Sequence, residues 1–308
     1  MIRTFTGSNS YLLAHDLRLI TNAFVQQQGD LALERIDAEE TSLAAIREAL
    51  ISLPFLVDRK MVVLRGGANN KPFTEVVDQI LASIPETTDV IFVEPKLDKR
   101  LVYFKALKKQ TDFTEYGELD ANGLAAWLVR SANVGQGSIS SNDARYLVER
   151  VGANQQLLAN ELEKLIVHSP QVTRAGIDLL TELSPHSTIF QLLEAAFAGN
   201  ARRALELYQE QRALKVETPQ IIAMLAWQLH ILAIVKVAGN RLPATIAQEA
   251  QLSPYVVQKS AAIARTIDLA TLKQRISDLL EIDAKSKRTN LDVDEALQNY
   301  ILRLAMKA

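Results

Sequence analysis

Short apolar runs alternate with longer helical patterns over the first 129 residues of the chain. Runs with the length, β-branched content and turn-type boundaries of strands cover residues 2–5, 31–36, 61–64, 90–93 and 112–115. The third and fourth runs are continuously apolar, as expected of strands that are covered on both faces. Strands that alternate with helices predict an α/β domain with a parallel sheet and helices on its faces.

One apolar face recurs at helical spacing between the first two predicted strands. Its members are Leu13, Leu17, Ile20 and Phe24. We expect Ser8 or Ser10 to cap this helix, because a serine side chain can accept a hydrogen bond from a backbone N–H of the first turn.

The strand pattern stops near residue 130, and helical patterns fill the rest of the chain. A polar, glycine-containing stretch at residues 131–140 is typical of a linker. Pro185 disfavours helix at Ser184 and marks a second break. These breaks predict an α/β domain over residues 1–129, a small all-helical lid domain over 130–183 and an all-helical bundle over 184–308.

The longest apolar run, residues 221–238, is near the lower length limit of a membrane span. Gln228, His230 and Lys236 interrupt it, and such polar groups are costly in lipid. We therefore predict a largely buried helix of the bundle and no membrane association. Trp227 in this run, like Trp127, is expected to pack in a core rather than to stack on nucleic-acid bases.

The composition narrows the function classes further. The chain has 308 residues with 34 basic and 36 acidic side chains, so its net charge of -2 is not that of a general polyanion binder. It contains no cysteine, which excludes disulfides, thiolate metal sites and cysteine nucleophiles. The N-terminal residues lack the basic-then-apolar pattern of a secretory signal, so we expect a cytoplasmic protein.

A parallel sheet followed by a small helical domain is the architecture of a P-loop ATPase with its lid. The phosphate loop of such enzymes needs the pattern G-x-x-x-x-G-K-[ST] between the first strand and the first helix. Residues 7–12 read GSNSYL at this place, and no Gly-Lys pair occurs in the chain. The backbone cradle and the lysine charge that hold phosphates are therefore missing in their usual form.

Other catalytic chemistry has little support in the sequence. Glu94 ends the fourth strand, where such ATPases place a metal-linked carboxylate, but one carboxylate alone is weak support for a site. The four histidines are scattered without a close pair, and no G-x-S-x-G pattern marks a nucleophile. We expect no catalytic residue, no metal and no cofactor.

An apolar segment before the third strand, SLPFLVDRKMVVLR, is the most informative stretch of the chain. Pro54 pushes Leu53 out of the helical region, so the preceding helix should end there. Leu53, Phe55 and Leu56 then fall at the helix end and in the connection to the strand. They form either an exposed partner site or a group that folds back over the domain, and the residues alone do not favour one interpretation.

This segment resembles the hallmark of the bacterial DNA polymerase III delta subunit family, in which a short apolar element precedes a basic pair and a β-strand. Further similar stretches occur in the same order along nearly the whole chain. They are GSNSYLL at residues 7–13, NELEKL at 160–165, IFQL at 189–192 and DAKSKRTNLDVDEAL at 283–297.

The resemblance implies an AAA+-like (RecA-like) domain without a working phosphate loop, a helical lid and a C-terminal collar bundle. It implies a non-catalytic subunit of the clamp loader within the DNA-directed DNA polymerase (nucleotidyltransferase) holoenzyme. The implied partners are the sliding clamp (beta subunit), the gamma/tau and delta-prime type subunits through the collar, and primer-template DNA. Leu53, Phe55 and Leu56 match the apolar element that opens the clamp, although Pro54 shifts the spacing.

Lys285, Lys287 and Arg288 form the densest basic cluster of the bundle and are candidates to face DNA. The simpler interpretation is a solvated helix end, where cations interact favourably with the helix dipole. Two other functions stay open for the whole chain. One is an AAA+-like scaffold subunit without clamp affinity, and the other is an ATPase with an unconventional phosphate loop.

Overall fold

Residues 1–55 and 57–306 are described by a computed structural model of the chain. The chain divides into two units, Met1–Glu118 and Leu119–Ala308. Leu56, one of the three residues that match the apolar element, lies outside the described residues.

The first unit is an α/β domain built on a five-stranded parallel sheet with the strand order β2-β3-β4-β1-β5. Its elements are β1 (Ile2–Thr6), α1 (Ser10–Gln28), β2 (Leu33–Asp37), α2 (Leu43–Ile51), β3 (Lys60–Arg65), α3 (Lys71–Ser83), β4 (Thr88–Glu94), α4 (Val102–Gln110) and β5 (Asp112–Glu115). The predicted fold class is confirmed. The second strand begins two residues later than predicted because Asp30–Ala32 forms a 3-10 turn.

The apolar runs of β3 and β4 are buried because helices cover both faces of the sheet. Successive side chains of a strand point to opposite faces, so both sets of positions must be apolar in a strand that is covered twice. Val62 and Phe92 pack in the core on the side of α2, α3 and α4, whereas Val63 and Ile91 pack in the core on the side of α1. Because all the strand pairs are parallel, the carboxyl ends of the strands and the connections that follow them lie at the same end of the sheet.

The second unit is helical apart from one pair of short parallel strands. Its elements are α5 (Ala121–Val134), β6 (Ser138–Ile139), α6 (Ser141–Val151), α7 (Gln155–His168), β7 (Gln171–Val172), α8 (Arg174–Leu180), α9 (Pro185–Phe197), α10 (Ala201–Ala213), α11 (Thr218–Ala238), α12 (Pro243–Ala250), α13 (Pro254–Thr266), α14 (Leu269–Ser286) and α15 (Val293–Ala305). Helix α5 runs through the predicted boundary between residues 129 and 130, and the first residues of the predicted linker continue this helix. The division of the chain into three domains stays a prediction.

Helices α9 to α15 share one large hydrophobic core. Ser184 is extended rather than helical, as the sequence predicts, and it caps α9, which has Pro185 in its first turn. A proline is tolerated in the first helical turn because its missing N–H would have no partner there.

Helix α11 passes through the middle of this core. By length and composition it could cross a membrane, but half of its most apolar stretch is buried inside the protein. Gln228 is also buried and donates to the hydroxyl of Ser260 on α13 at 2.9 Å, which satisfies its amide. Trp227 is 42% exposed beside the ring of His186, so the core position predicted for it is wrong, whereas Trp127 is buried.

Candidate functional site

The connection between α2 and β3, residues 52–59, carries the apolar residues that the sequence singles out; we call it the apolar linker. Helix α2 ends at Ile51, and Ser52 follows in an extended conformation. The residue before a proline is disfavoured in the helical region, which explains why the helix stops short of Leu53 and Pro54. The local sequence therefore determines where the apolar linker begins.

Two apolar side chains of the linker point into solvent. Leu53 is 73% exposed and Phe55 is 84% exposed, whereas Val57 packs partly against the core beside α1. The alternative that Leu53 and Phe55 fold back over the domain is therefore wrong. Large apolar residues that stand together on a connection are typical of a surface that binds a partner.

Both ends of the apolar linker are tied to the domain by basic side chains. Lys60 donates from Nζ to the carbonyl oxygen of Ala49 at 2.6 Å and to Oγ of Ser52 at 2.8 Å. Arg59 donates from Nη2 and Nε to the two carboxylate oxygens of Asp89, at 2.8 and 3.4 Å. Desolvation by burial lowers the pKa of Lys60, while the charge of Glu34 opposes this shift.

The connection that would form a phosphate loop is closed by contacts inside the first unit. The backbone N–H of Asn9 donates to the carbonyl oxygen of Tyr116 at 3.0 Å, and its side-chain amide donates to the carbonyl oxygen of Gly117. The side-chain oxygen of Asn9 accepts from the N–H of Leu12 and caps α1. The predicted caps Ser8 and Ser10 are therefore wrong, because the contact with Tyr116 places Asn9 at the start of the helix.

Glu94, at the carboxyl end of β4, is buried and bound by neighbours of its own domain. It accepts a hydrogen bond from the hydroxyl of Tyr103 at 2.8 Å and from the backbone N–H of Ala68 at 3.3 Å. Burial raises the pKa of Glu94 to about 7, although these hydrogen bonds oppose the shift. The carboxylate therefore holds the turn after β3 rather than pointing into an open site.

Replacing Glu94 by glutamine should make the first unit less sensitive to pH. The folded pKa of about 7 lies above the unfolded value of 4.5, so the stabilising contribution of this group is complete below pH 4.5 and is lost as the pH rises through 7. In the wild type, the free energy of unfolding should fall by on the order of 3 kcal/mol over this pH range. Thermal unfolding at pH 5 and pH 8 measures this difference in stability. The control is Glu75→Gln, because Glu75 is exposed on α3. An equal pH dependence in Glu94→Gln and wild type would contradict the assignment.

The basic cluster at the end of α14 is partly neutralised within its own helix. Lys285 pairs with Glu281 at 2.6 Å and Lys287 pairs with Asp283 at 2.7 Å. Both lysines and Arg288 are exposed at the carboxyl end of the helix. This arrangement is the one expected of a solvated helix end.

Across residues 1–55 and 57–306, no three His, Asp or Glu side chains are arranged to hold a metal ion.

Family models match both ends of the chain. The model described as "DNA polymerase III, delta subunit" matches residues 4–116, and that of the C-terminal domain of the same subunit matches residues 186–304. DNA polymerase III subunit delta of Bacillus subtilis (strain 168) is 24% identical over 315 residues, which cover 97% of this chain and 91% of the relative. The solved structure of the Bacillus subtilis DNA clamp loader delta protein is similar with a TM-score of 0.85 and 22% identity, over 99% of this chain and 95% of that one.

The class of protein is defined by a five-stranded parallel α/β domain followed by a mainly helical region, a fold shared with the clamp loader delta protein of Bacillus subtilis. Two models of the same subunit match this chain: one matches the α/β domain, and the other matches the C-terminal bundle. The chain belongs to the DNA polymerase III delta subunit family, the clamp-loader delta subunits of DNA replication.

Proposed function

We propose that this chain binds the sliding clamp and opens it for loading onto primed DNA, with Leu53, Phe55 and Leu56 as the apolar wedge. The observation that carries the proposal is the exposure of Leu53 and Phe55 on a linker whose two ends are held by hydrogen bonds. Burying a Leu or Phe side chain contributes roughly 1.5–3 kcal/mol. If the open clamp offers a better pocket for these side chains than the closed clamp, binding favours the open state.

The proposal is tested by the binding of the purified full-length chain to the sliding clamp of its own organism, without nucleotide. We expect nucleotide-independent binding in isothermal titration calorimetry, with a negative heat-capacity change because apolar surface is buried. A folded chain that does not bind the clamp would contradict the proposal and favour the scaffold function without clamp affinity.

The same chain is proposed to act without nucleotide, as a non-catalytic subunit of the polymerase holoenzyme. The backbone N–H of Asn9, one of the amides that a phosphate loop would present to a ligand, already donates to the carbonyl oxygen of Tyr116. We therefore expect no heat of ATP binding in the same calorimeter. Tight ATP binding would favour the alternative of an ATPase with an unconventional phosphate loop.

The helical bundle is proposed to join the gamma/tau and delta-prime type subunits in a cytoplasmic complex that also holds primer-template DNA. Its support is the family membership together with the match of residues 186–304 to the C-terminal domain. A DNA contact by Lys285, Lys287 and Arg288 has weaker support, because Glu281 and Asp283 already pair with the two lysines. A solvated helix end remains the simpler interpretation of this cluster.

A further inference from the structure

The basic pair that follows the apolar residues, Arg59 and Lys60, is turned inward to the domain. Lys60 is the first residue of β3, yet its ammonium group reaches back to the carbonyl oxygen of Ala49 in the last turn of α2. The last carbonyls of a helix have no donor within the helix, so the lysine satisfies one of them and its charge suits the negative helix end.

The same ammonium group also closes the base of the apolar linker. Its hydrogen bond to Oγ of Ser52 joins the first residue of the linker to the residue that follows its end. Because both partners of Lys60 lie at the end of α2, these two hydrogen bonds hold the start of β3 close to the end of α2.

Arg59 holds the carboxyl end of the linker from the other side. Its guanidinium group binds both oxygens of Asp89 on β4, and such paired contacts fix direction as well as distance. Burial alone would raise the pKa of Asp89, but hydrogen bonds from Arg59 and from the amino group of Met1 bring it below its usual value. Asp89 is therefore an ionised, buried anchor near the amino end of the central strand β4.

We propose that Arg59 and Lys60 are positioning residues, which hold the apolar linker in the conformation that exposes Leu53 and Phe55 to the clamp. This inference rests on the proposed function, because Arg59 and Lys60 would hold the same apolar linker that is proposed to bind the clamp. A linker held in its bound conformation loses less conformational freedom on binding. When only a fraction of molecules holds the competent conformation, the apparent affinity falls by that fraction.

The test compares Lys60→Met with Lys60→Arg in the full-length chain. Methionine keeps the apolar stem but cannot donate, whereas arginine can still donate to Ala49 and Ser52. We expect Lys60→Met to bind the clamp about tenfold more weakly, and Lys60→Arg to recover most of the affinity. Lys105→Met, which removes an exposed lysine on α4, is the matched control and should bind like the wild type.

Hydrogen exchange of the free chain provides a second measurement that needs no clamp. Faster exchange of the linker amides (residues 52–59 without Pro54, which has no N–H) in Lys60→Met, with unchanged exchange in β3 and β4, would support the positioning role. Equal clamp affinity of Lys60→Met and wild type, or equal linker exchange, would overturn it.

The two proposals fail in different ways. A wild-type chain that does not bind the clamp overturns the clamp-opening function, and linker exchange in Lys60→Met then still decides whether Lys60 positions the linker. If the double variant Leu53→Ala with Phe55→Ala still binds the clamp but Lys60→Met does not, the apolar wedge is not the contact and the positioning role proposed for Lys60 is overturned. Arg59→Lys, which keeps a charge beside Asp89 but loses the paired contact, should weaken binding less than Lys60→Met does.

Discussion

Replacing Leu53 and Phe55 together by alanine should remove binding to the sliding clamp without changing the melting temperature of the chain. Each side chain contributes roughly 1.5–3 kcal/mol when it is buried, so the pair accounts for roughly a hundredfold to ten-thousandfold in affinity. Both side chains are exposed in the free protein, which is why their loss should cost the fold little. Calorimetric titration of the clamp measures the affinity, and differential scanning calorimetry measures the stability.

A matched control separates this site from a general effect of exposed apolar surface. Leu31 and Val102 are 97% and 69% exposed in the same unit and lie outside the apolar linker. The double variant Leu31→Ala with Val102→Ala should bind the clamp like the wild type. Unchanged clamp affinity in Leu53→Ala with Phe55→Ala would rule out the wedge, whatever the control shows.

Replacing Gly7 by alanine should destabilise the first unit by at least about 3 kcal/mol. Gly7 has φ of +118°, a backbone region that costs a residue with a side chain about 1–3 kcal/mol. A Cβ atom at this position would also overlap the carbonyl oxygen of Tyr116. This oxygen accepts the hydrogen bond from Asn9, so the loop cannot relax without losing the contact that closes it.

The two units allow this effect to be assigned. Both tryptophans, Trp127 and Trp227, belong to the second unit, so tryptophan fluorescence follows the unfolding of that unit. Circular dichroism follows the unfolding of both units. Gly7→Ala should lower the melting temperature of the first unit, which circular dichroism reports, and leave the fluorescence transition of the second unit unchanged. Gly117→Ala is the control, because no atom lies within 4 Å of its added Cβ. Equal stability of the two variants would show that the loop is not held against Tyr116.

These two variants address separate properties of the α/β domain. The loop after β1 is filled by contacts with the residues that follow β5, and the connection before β3 presents apolar side chains to solvent. Gly7→Ala therefore tests how the first loop is held, and Leu53→Ala with Phe55→Ala tests the proposed contact, because a contact site depends on particular residues rather than on the sheet that carries them.

The sequence by itself determined the sheet of this protein. Val62 and Val63 belong to a short, β-branched apolar run, which is typical of a strand covered on both faces, and the structure confirms this. Pro54 likewise predicts that α2 does not extend through Leu53, because a proline acts sterically on the residue before it, and the helix ends at Ile51. Both effects act between residues close in the chain or repeat with a regular period, so they can be recognised without the fold.

The tertiary structure alone decided which groups meet across the fold. The exposure of Leu53 and Phe55, the contact of Lys60 with Ala49 and the burial of Glu94 all depend on where distant segments pack. Asn9, rather than a neighbouring serine, caps α1 because of Tyr116, more than a hundred residues away in the chain. These contacts join particular side chains that only the folded chain brings together, so no local pattern in the sequence specifies them.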